Sequence, residues 1–166
     1  MIHWFLRFGL YYIGFSLYII PDMSNIYDKA VKLLKIRPHH SEELTKKLLL
    51  RGFAKSDINS VILKLTDEKL IDNQQFAQMY LDSLLRFKSF GFYGLKAKLM
   101  SRGIASNEAD NLLKENLSIE LEKEIALRVV EKQKEPDKIK LAQKLSRKGF
   151  RSEVIREILS TFVPDV

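Results

Sequence analysis

Residues 44–53 read LTKKLLLRGF, and this frame recurs twice more along the chain. Residues 95–104 read LKAKLMSRGI, and residues 141–150 read LAQKLSRKGF. Each copy has leucine at its first and fifth positions and glycine at its ninth, followed by a large apolar residue. The copies begin 51 and 46 residues apart. Such a period is typical of a supersecondary unit repeated in tandem.

The residues around each copy have the apolar spacing of helices, and a glycine at this place suits the left-handed position that ends a helix. Apolar positions resume six residues after each glycine, at Ile58, Ala109 and Ile155. Ser41 is the predicted N-cap of the helix that carries the first copy. Beyond residue 22, no run is typical of a strand. We therefore predict an all-α protein of about nine helices, built as three tandem three-helix repeats in an elongated, curved array.

The predicted boundaries place repeat 1 at residues 23–71, repeat 2 at 72–117 and repeat 3 at 118–166. Long helices that begin near Asp72 and Ser118 would connect successive repeats. A unit of about 45 residues buries too little apolar surface to be stable by itself. Neighbouring repeats must therefore share surface.

The first 22 residues differ from the rest, because they are apolar and aromatic and end at Pro21-Asp22. They could be a membrane anchor, since about 20 apolar residues can span a bilayer. They could also be a signal peptide, although a strongly basic start and a small-residue cleavage site are missing. In the third interpretation translation starts at Met23 and this leader is not part of the protein. We favour the third, because an amphipathic helix begins directly after Met23.

The amino-acid composition restricts the kinds of catalysis and metal binding that the chain can support. The 166 residues include no cysteine, which excludes disulfides, thiol catalysis and cysteine-type zinc sites. The histidines are His3 and the adjacent pair His39-His40, and adjacent histidines in one loop rarely close a metal site. The sequence contains no phosphate-binding glycine loop and no nucleophile elbow. We predict no catalytic site, no metal and no cofactor, and the net charge of +7 favours a polyanionic partner.

The second helix of each repeat carries a basic pair four residues apart, at the fourth and eighth positions of the ten-residue copy. These candidate filament- and DNA-binding residues are Lys47, Arg51, Lys98, Arg102, Lys144 and Lys148. Three copies would form a basic stripe, as expected for a surface that follows phosphates or enters an acidic groove. Basic residues in the last turn of a helix also complement its dipole. Both interpretations stay open, because a repeated fold also repeats its caps.

A glycine-bearing loop is predicted at residues 90–94, where aromatic residues lie among basic ones. Phe87, Phe90, Phe92 and Tyr93 could stack on the bases of a single strand. Aromatic residues in such a loop more often pack it against the next repeat. We favour packing.

The repeats also carry an ordered set of short motifs. They are Tyr27-Asp28-Lys29-Ala30, Ser41-Glu42-Glu43-Leu44, Arg51-Gly52-Phe53, Leu70-Ile71-Asp72, Phe76-Ala77, Tyr80, Arg102-Gly103-Ile104 and Lys148-Gly149-Phe150. In this set the chain, from about residue 25 to residue 162, resembles the RecX family of bacterial recombination regulators. Two features depart from the family pattern: the leader, and the stretch after Tyr80, where a basic residue and a Gly-Pro turn are common.

The resemblance implies a non-enzymatic, cytoplasmic modulator of the RecA recombinase. Such proteins are three tandem three-helix repeats that lie in the groove of the RecA filament on single-stranded DNA and suppress ATP hydrolysis and strand exchange. The expected partners are therefore a RecA-type filament and the single-stranded DNA within it, bound by a monomer. Contact with a membrane is expected only if residues 1–22 are an anchor. We expect the six basic residues to belong to the filament-binding surface.

Two other functions compete with this one. Three-helix units with a glycine turn resemble helix-turn-helix domains that read duplex DNA directly. The acids Asp57, Glu108 and Glu157 on the corresponding helices argue against insertion into a groove. The second alternative is a helical scaffold that the leader anchors in a membrane.

Overall fold

The computed structural model of the chain describes residues 23–132 and 137–161, which form nine α-helices and no strand. The helices of repeat 1 are α1 (Met23–Ile36), α2 (Ser41–Leu49) and α3 (Lys55–Asp67). Those of repeat 2 are α4 (Asn73–Phe87), α5 (Phe92–Ser101) and α6 (Ser106–Asn116). Those of repeat 3 are α7 (Ile119–Val130), α8 (Lys138–Arg147) and α9 (Ser152–Thr161). Extensive helix–helix contacts lie within these groups of three, so the predicted all-α array of tandem three-helix repeats is confirmed.

The repeated ten-residue frame accounts for the second helix of each group. Its two leucines are fully buried in all three repeats. Its glycine follows the helix with a left-handed backbone, at φ 84° for Gly52, 95° for Gly103 and 74° for Gly149. The positive φ is the reason that glycine, which has no Cβ, stands there.

Polar side chains cap several helix starts, and one of them corrects a prediction. Asp72 caps α4 by accepting a hydrogen bond from the Gln75 amide at 2.8 Å. The N-cap of α2 is His40 and not Ser41, since His40 Nδ1 accepts from the Glu42 amide at 3.2 Å. Helix α5 begins at Phe92, so the predicted loop at residues 90–94 is shorter than expected. The cause is the side chain of Glu122 on α7, which accepts a hydrogen bond from the Phe92 amide.

The buried apolar side chains form two separate cores. The core of repeat 1 comprises Ile26, Ala30, Leu44, Leu48, Ile58, Val61, Leu65 and Ile71. A second core runs without interruption from Phe76 on α4 to Ile158 on α9 and so belongs to repeats 2 and 3 together. Repeats 2 and 3 therefore share buried apolar surface, whereas repeat 1 is joined to repeat 2 by other contacts.

Successive repeats meet in the same way. The glycine turn after α5 lies on the start of α2, and the glycine turn after α8 lies on the start of α5. A Cβ on Gly103 would lie 2.8 Å from Glu42 Cβ, and one on Gly149 would lie 2.1 Å from the backbone nitrogen of Gly94. A Cβ on Gly52 would have no atom of the described residues within 4 Å. The glycine turn is thus a docking element in repeats 2 and 3 and is open in repeat 1.

No helix of the described residues combines the length and the apolar character needed to cross a membrane. The three interpretations of residues 1–22 concern a segment outside the described residues.

Candidate functional site

Two of the predicted basic residues, from different repeats, meet at one carboxylate. Lys47 Nζ lies 3.7 Å from Glu43 Oε1, and Arg102 Nη1 donates to the same oxygen at 3.2 Å. Arg37 also pairs with Glu43 through both of its terminal nitrogens. Burial would raise the pKa of Glu43, but the hydrogen bond and charge of Arg37, together with the charge of Arg102, hold it below the usual value. Glu43 therefore remains ionised between three cations at the junction of repeats 1 and 2.

A second pair of predicted residues meets at an aromatic ring between repeats 2 and 3. Lys98 Nζ lies 5.1 Å from the centroid of the Phe90 ring, and Lys148 Nζ lies 5.0 Å from it. Both distances suit a cation–π interaction. Lys148 also donates to the Ser89 carbonyl at 3.0 Å. Burial and, secondarily, nearby lysines such as Lys144 lower the pKa of Lys148.

The same relation thus occurs at both junctions. The fourth residue of one ten-residue frame and the eighth residue of the next share a contact between them. Within each frame, the fourth and eighth residues lie one helical turn apart on the same helix. Together with the contacts across the two junctions, this places all six residues in a continuous series across the three repeats. We call this series the basic row; its order is Arg51, Lys47, Arg102, Lys98, Lys148 and Lys144.

Helix capping accounts for Arg51, and Lys47, Lys98 and Lys144 also lie in the last turns of their helices. Arg51 is exposed, and its Nη1 donates to the Lys47 carbonyl of its own helix at 2.7 Å. Arg102 and Lys148 stand at the equivalent position but direct their charged groups to the preceding repeat. Position eight therefore caps a helix in repeat 1 and joins repeats elsewhere.

A buried carboxylate that the sequence analysis missed joins repeats 2 and 3. Glu122, on α7, has no exposed surface. Its Oε1 accepts from the Phe92 amide at 3.0 Å and from the Arg151 amide at 2.9 Å, while its Oε2 pairs with the Arg151 guanidinium. The Phe92 bond explains why α5 begins before Gly94. The one sequence signal is that Glu122 is an acid on the apolar face of α7, which carries Ile125 and Val129.

His39 and His40, weighed above as metal ligands, lie at the junction of repeats 1 and 2 and are 3% and 5% exposed. His39 Nδ1 is 2.8 Å from the Arg37 carbonyl oxygen, and the His40 ring tilts against Phe76 with centroids 6.2 Å apart. Burial lowers the pKa of both imidazoles. Within the described ranges, no three His, Cys, Asp or Glu side chains are grouped to hold a metal ion.

The aromatic residues near the predicted loop divide into two kinds. Phe90 and Phe92 pack against the core of repeats 2 and 3, as the packing interpretation expects. Phe87 and Tyr93 are 71% and 60% exposed, so packing does not account for them.

Acids and amides occupy a different surface from the basic row. A cavity of about 880 Å³ lies between α4 and α6, and its lining includes Asp72, Glu108 and Glu115 together with several Asn and Gln side chains. This surface would repel phosphates. No residue of the basic row lines this cavity.

An array of tandem three-helix units is the architecture of a helical-repeat protein. A RecX regulatory protein from Chlorobium limicola is 34% identical over 135 residues, which cover 79% of this chain and 85% of that protein. One from Prosthecochloris aestuarii is 30% identical over 141 residues, covering 83% and 93% of the two chains. The chain belongs to the RecX family of regulatory proteins, as the resemblance in its sequence predicted.

Solved structures have the same fold. The crystal structure of RecX from Lactobacillus salivarius superposes with a TM-score of 0.70 at 24% identity, covering 84% of this chain and 96% of that one. A second crystal structure of a regulatory protein RecX gives a TM-score of 0.72 at 21% identity, with 84% and 73% covered. No protein-family model matches the chain.

Proposed function

We propose that the protein regulates a RecA-type recombinase by binding its filament on single-stranded DNA. Binding inhibits ATP hydrolysis by the filament and, with it, strand exchange and the SOS response that the filament triggers. Membership of a family of regulatory proteins supports the regulatory role. The observation that carries the proposal is the basic row, because it crosses both junctions and so runs along the array.

The basic row suits a long anionic partner better than a small one. At the first junction Glu43 pairs with two of the row's six cations, Lys47 and Arg102. Contacts with successive subunits or phosphates of a filament would each be weak, and their sum would give useful avidity. Part of the attraction would depend on salt, since phosphates release counterions when cations approach.

The remaining features of the proposal follow from this mode of action. The protein acts by occupying the filament and needs no catalytic group, metal or cofactor of its own. It acts as a monomer in the cytoplasm, where the filament forms. Direct reading of duplex DNA is less well supported, because Glu108 and Glu115 line the cavity beside the helix that would enter the groove.

Steady-state ATP hydrolysis by RecA on single-stranded DNA tests the proposal, with increasing amounts of the full chain. We expect inhibition at fewer than one chain per RecA protomer. A second DNA-dependent ATPase on the same DNA is the control, and it should keep its activity. Unchanged hydrolysis by RecA, with a folded chain present in excess, would contradict the proposal. Equal inhibition of both enzymes would instead indicate that the chain sequesters DNA.

A further inference from the structure

A small apolar pocket opens between repeats 1 and 2, beside the basic row. Its volume is about 220 Å³. Arg37 and Pro38 line it from repeat 1; the residues that line it from repeat 2 are Phe76, Met79, Tyr80, Ser83 and Arg102. The pocket adjoins Arg102 of the basic row, so a partner lying along that row would pass its mouth.

The interior of the pocket suits an apolar group. The Phe76 and Tyr80 rings stack with centroids 5.9 Å apart. Met79 is 56% exposed, and methionine adapts its shape to different apolar partners. Pockets for small molecules usually measure roughly 300–1,000 Å³. This one is smaller and has room for one large side chain.

The rim of the pocket carries an excess of positive charge. Arg37 and Arg102 both pair with Glu43, so two guanidinium groups share one carboxylate. Their side chains are 34% and 33% exposed, which leaves both within reach of a partner. Guanidinium groups bind carboxylates in a planar, directed geometry. The complementary ligand therefore has an apolar group next to an acid.

A nucleotide also combines a flat group with a negative charge, but the pocket suits it less well. Recognition of a base requires a free aromatic face or groups that bond the base edge. The Tyr80 ring already contacts Phe76 and lies 5.2 Å from the Arg102 guanidinium carbon. The rest of the lining is Arg37, Pro38, Met79 and Ser83, and no amide side chain is among them to read a base edge. These contacts favour a protein side chain.

We propose that this pocket is an anchor site for one large apolar side chain of the partner protein, next to an acidic residue that meets Arg37 and Arg102. The inference rests on the proposed function, in which that protein is the recombinase. It adds to the basic row a specific contact with protein rather than with DNA. Binding would hold repeats 1 and 2 in one orientation, because both contribute to the pocket.

Filling the pocket tests the inference. Ser83 is exposed on α4, so Ser83→Trp puts an indole at the pocket without removing a core side chain. Ser60→Trp makes the same change at an exposed position of α3 outside the lining. The fluorescently labelled full chain and each variant are titrated with RecA filaments on single-stranded DNA. We expect Ser83→Trp to weaken binding roughly tenfold or more, as for loss of a buried anchor, and Ser60→Trp to leave it unchanged.

A second pair of variants covers the case in which Ser83→Trp does not fold. Met79→Glu places a negative charge in the pocket, and Met100→Glu does so at a comparably exposed position of α5 outside the lining. The first should weaken filament binding roughly tenfold. The second should not.

Three other outcomes would contradict the pocket, the protein anchor or the proposed function, respectively. Filament binding that neither Ser83→Trp nor Met79→Glu weakens overturns the pocket and leaves the proposed function intact. An equal loss of affinity for free single-stranded DNA without RecA shows that the pocket holds a base and overturns the protein anchor. No filament binding by the unsubstituted chain overturns the proposed function and, with it, the partner assigned here.

Discussion

Repeats 2 and 3 share one apolar core, whereas repeat 1 keeps its own core and meets repeat 2 through charges and aromatic rings. At the second junction the carboxylate of Glu122 is fully buried and accepts two backbone amides. At the first junction Glu43 remains 13% exposed and is bonded by side chains. The two junctions therefore have the same geometry but different kinds of contact.

The difference shows how a repeat protein can combine a rigid part with an adjustable part. Opening a junction built on a shared core exposes buried apolar surface to water, whereas one built on ion pairs can open locally at lower cost. The basic row crosses both junctions. The orientation of repeat 1, which carries Arg51 and Lys47 of the basic row, can then adjust to a partner. The proposed anchor pocket lies at this adjustable junction.

The largest expected effect comes from removing the buried carboxylate. Glu122→Ala leaves the Arg151 guanidinium and two amides without their acceptor, and breaking such a buried pair costs about 3–5 kcal/mol. Glu43→Ala at the other junction should cost about 1–2 kcal/mol, because water can reach its partners. Urea denaturation of both variants measures the difference. Equal losses would contradict the distinction between the junctions.

The next largest effect is the difference in stability loss between Gly149→Ala, at a turn packed on another repeat, and Gly52→Ala, at an open turn. Gly149→Ala adds a Cβ at positive φ and 2.1 Å from a backbone nitrogen, for a loss of about 3 kcal/mol from strain and overpacking. Gly52→Ala has the same backbone strain but no close atom among the described residues, and should cost about 1 kcal/mol. Thermal unfolding of the two variants compares them. A similar loss at Gly52 would show that its turn is packed as well.

The smallest effect is a pH dependence confined to the first junction. Burial lowers the pKa of His39 and His40 below the usual 6.5, so the folded state favours their neutral forms. His39 Nε2 is buried without a hydrogen-bond partner among the described residues, and a proton there would stay unsatisfied. The stabilisation is complete above about pH 6.5 and is lost as the pH falls below it, because the unfolded chain then binds more protons.

Melting temperatures at pH 7.5 and 5.5 measure this dependence. The double variant His39→Gln/His40→Asn cannot titrate at these positions, and Asn retains the ability to cap a helix. It should melt at more similar temperatures at the two pH values than the unsubstituted chain. An unchanged dependence in the double variant would assign the effect to other groups.

The sequence was sufficient for the helices, because their apolar spacing, caps and glycine stops are local signals. The ten-residue frame fixed the buried leucines and the turns of all three repeats. The basic row could be listed from the same frame, since its members recur at fixed positions in it.

The contacts between repeats could not be read in the same way. The pairing of Lys47 with Arg102 through Glu43 joins residues 55 positions apart, and no local spacing encodes it. The role of Glu122 could not be predicted, because its partners, Phe92 and Arg151, are about 30 residues away on either side. Buried histidines were also unexpected, since burial depends on which repeat covers them.

The most direct test of the basic row uses its three members that neither pair with Glu43 nor contact the preceding repeat: Arg51, Lys98 and Lys144. We expect their triple substitution by alanine to raise the concentration needed for half-inhibition of RecA ATP hydrolysis roughly tenfold, with a similar melting temperature. The control replaces three exposed lysines of other helices, Lys29, Lys35 and Lys114, and should inhibit like the unsubstituted chain. Undiminished inhibition by the Arg51, Lys98 and Lys144 variant would contradict the account.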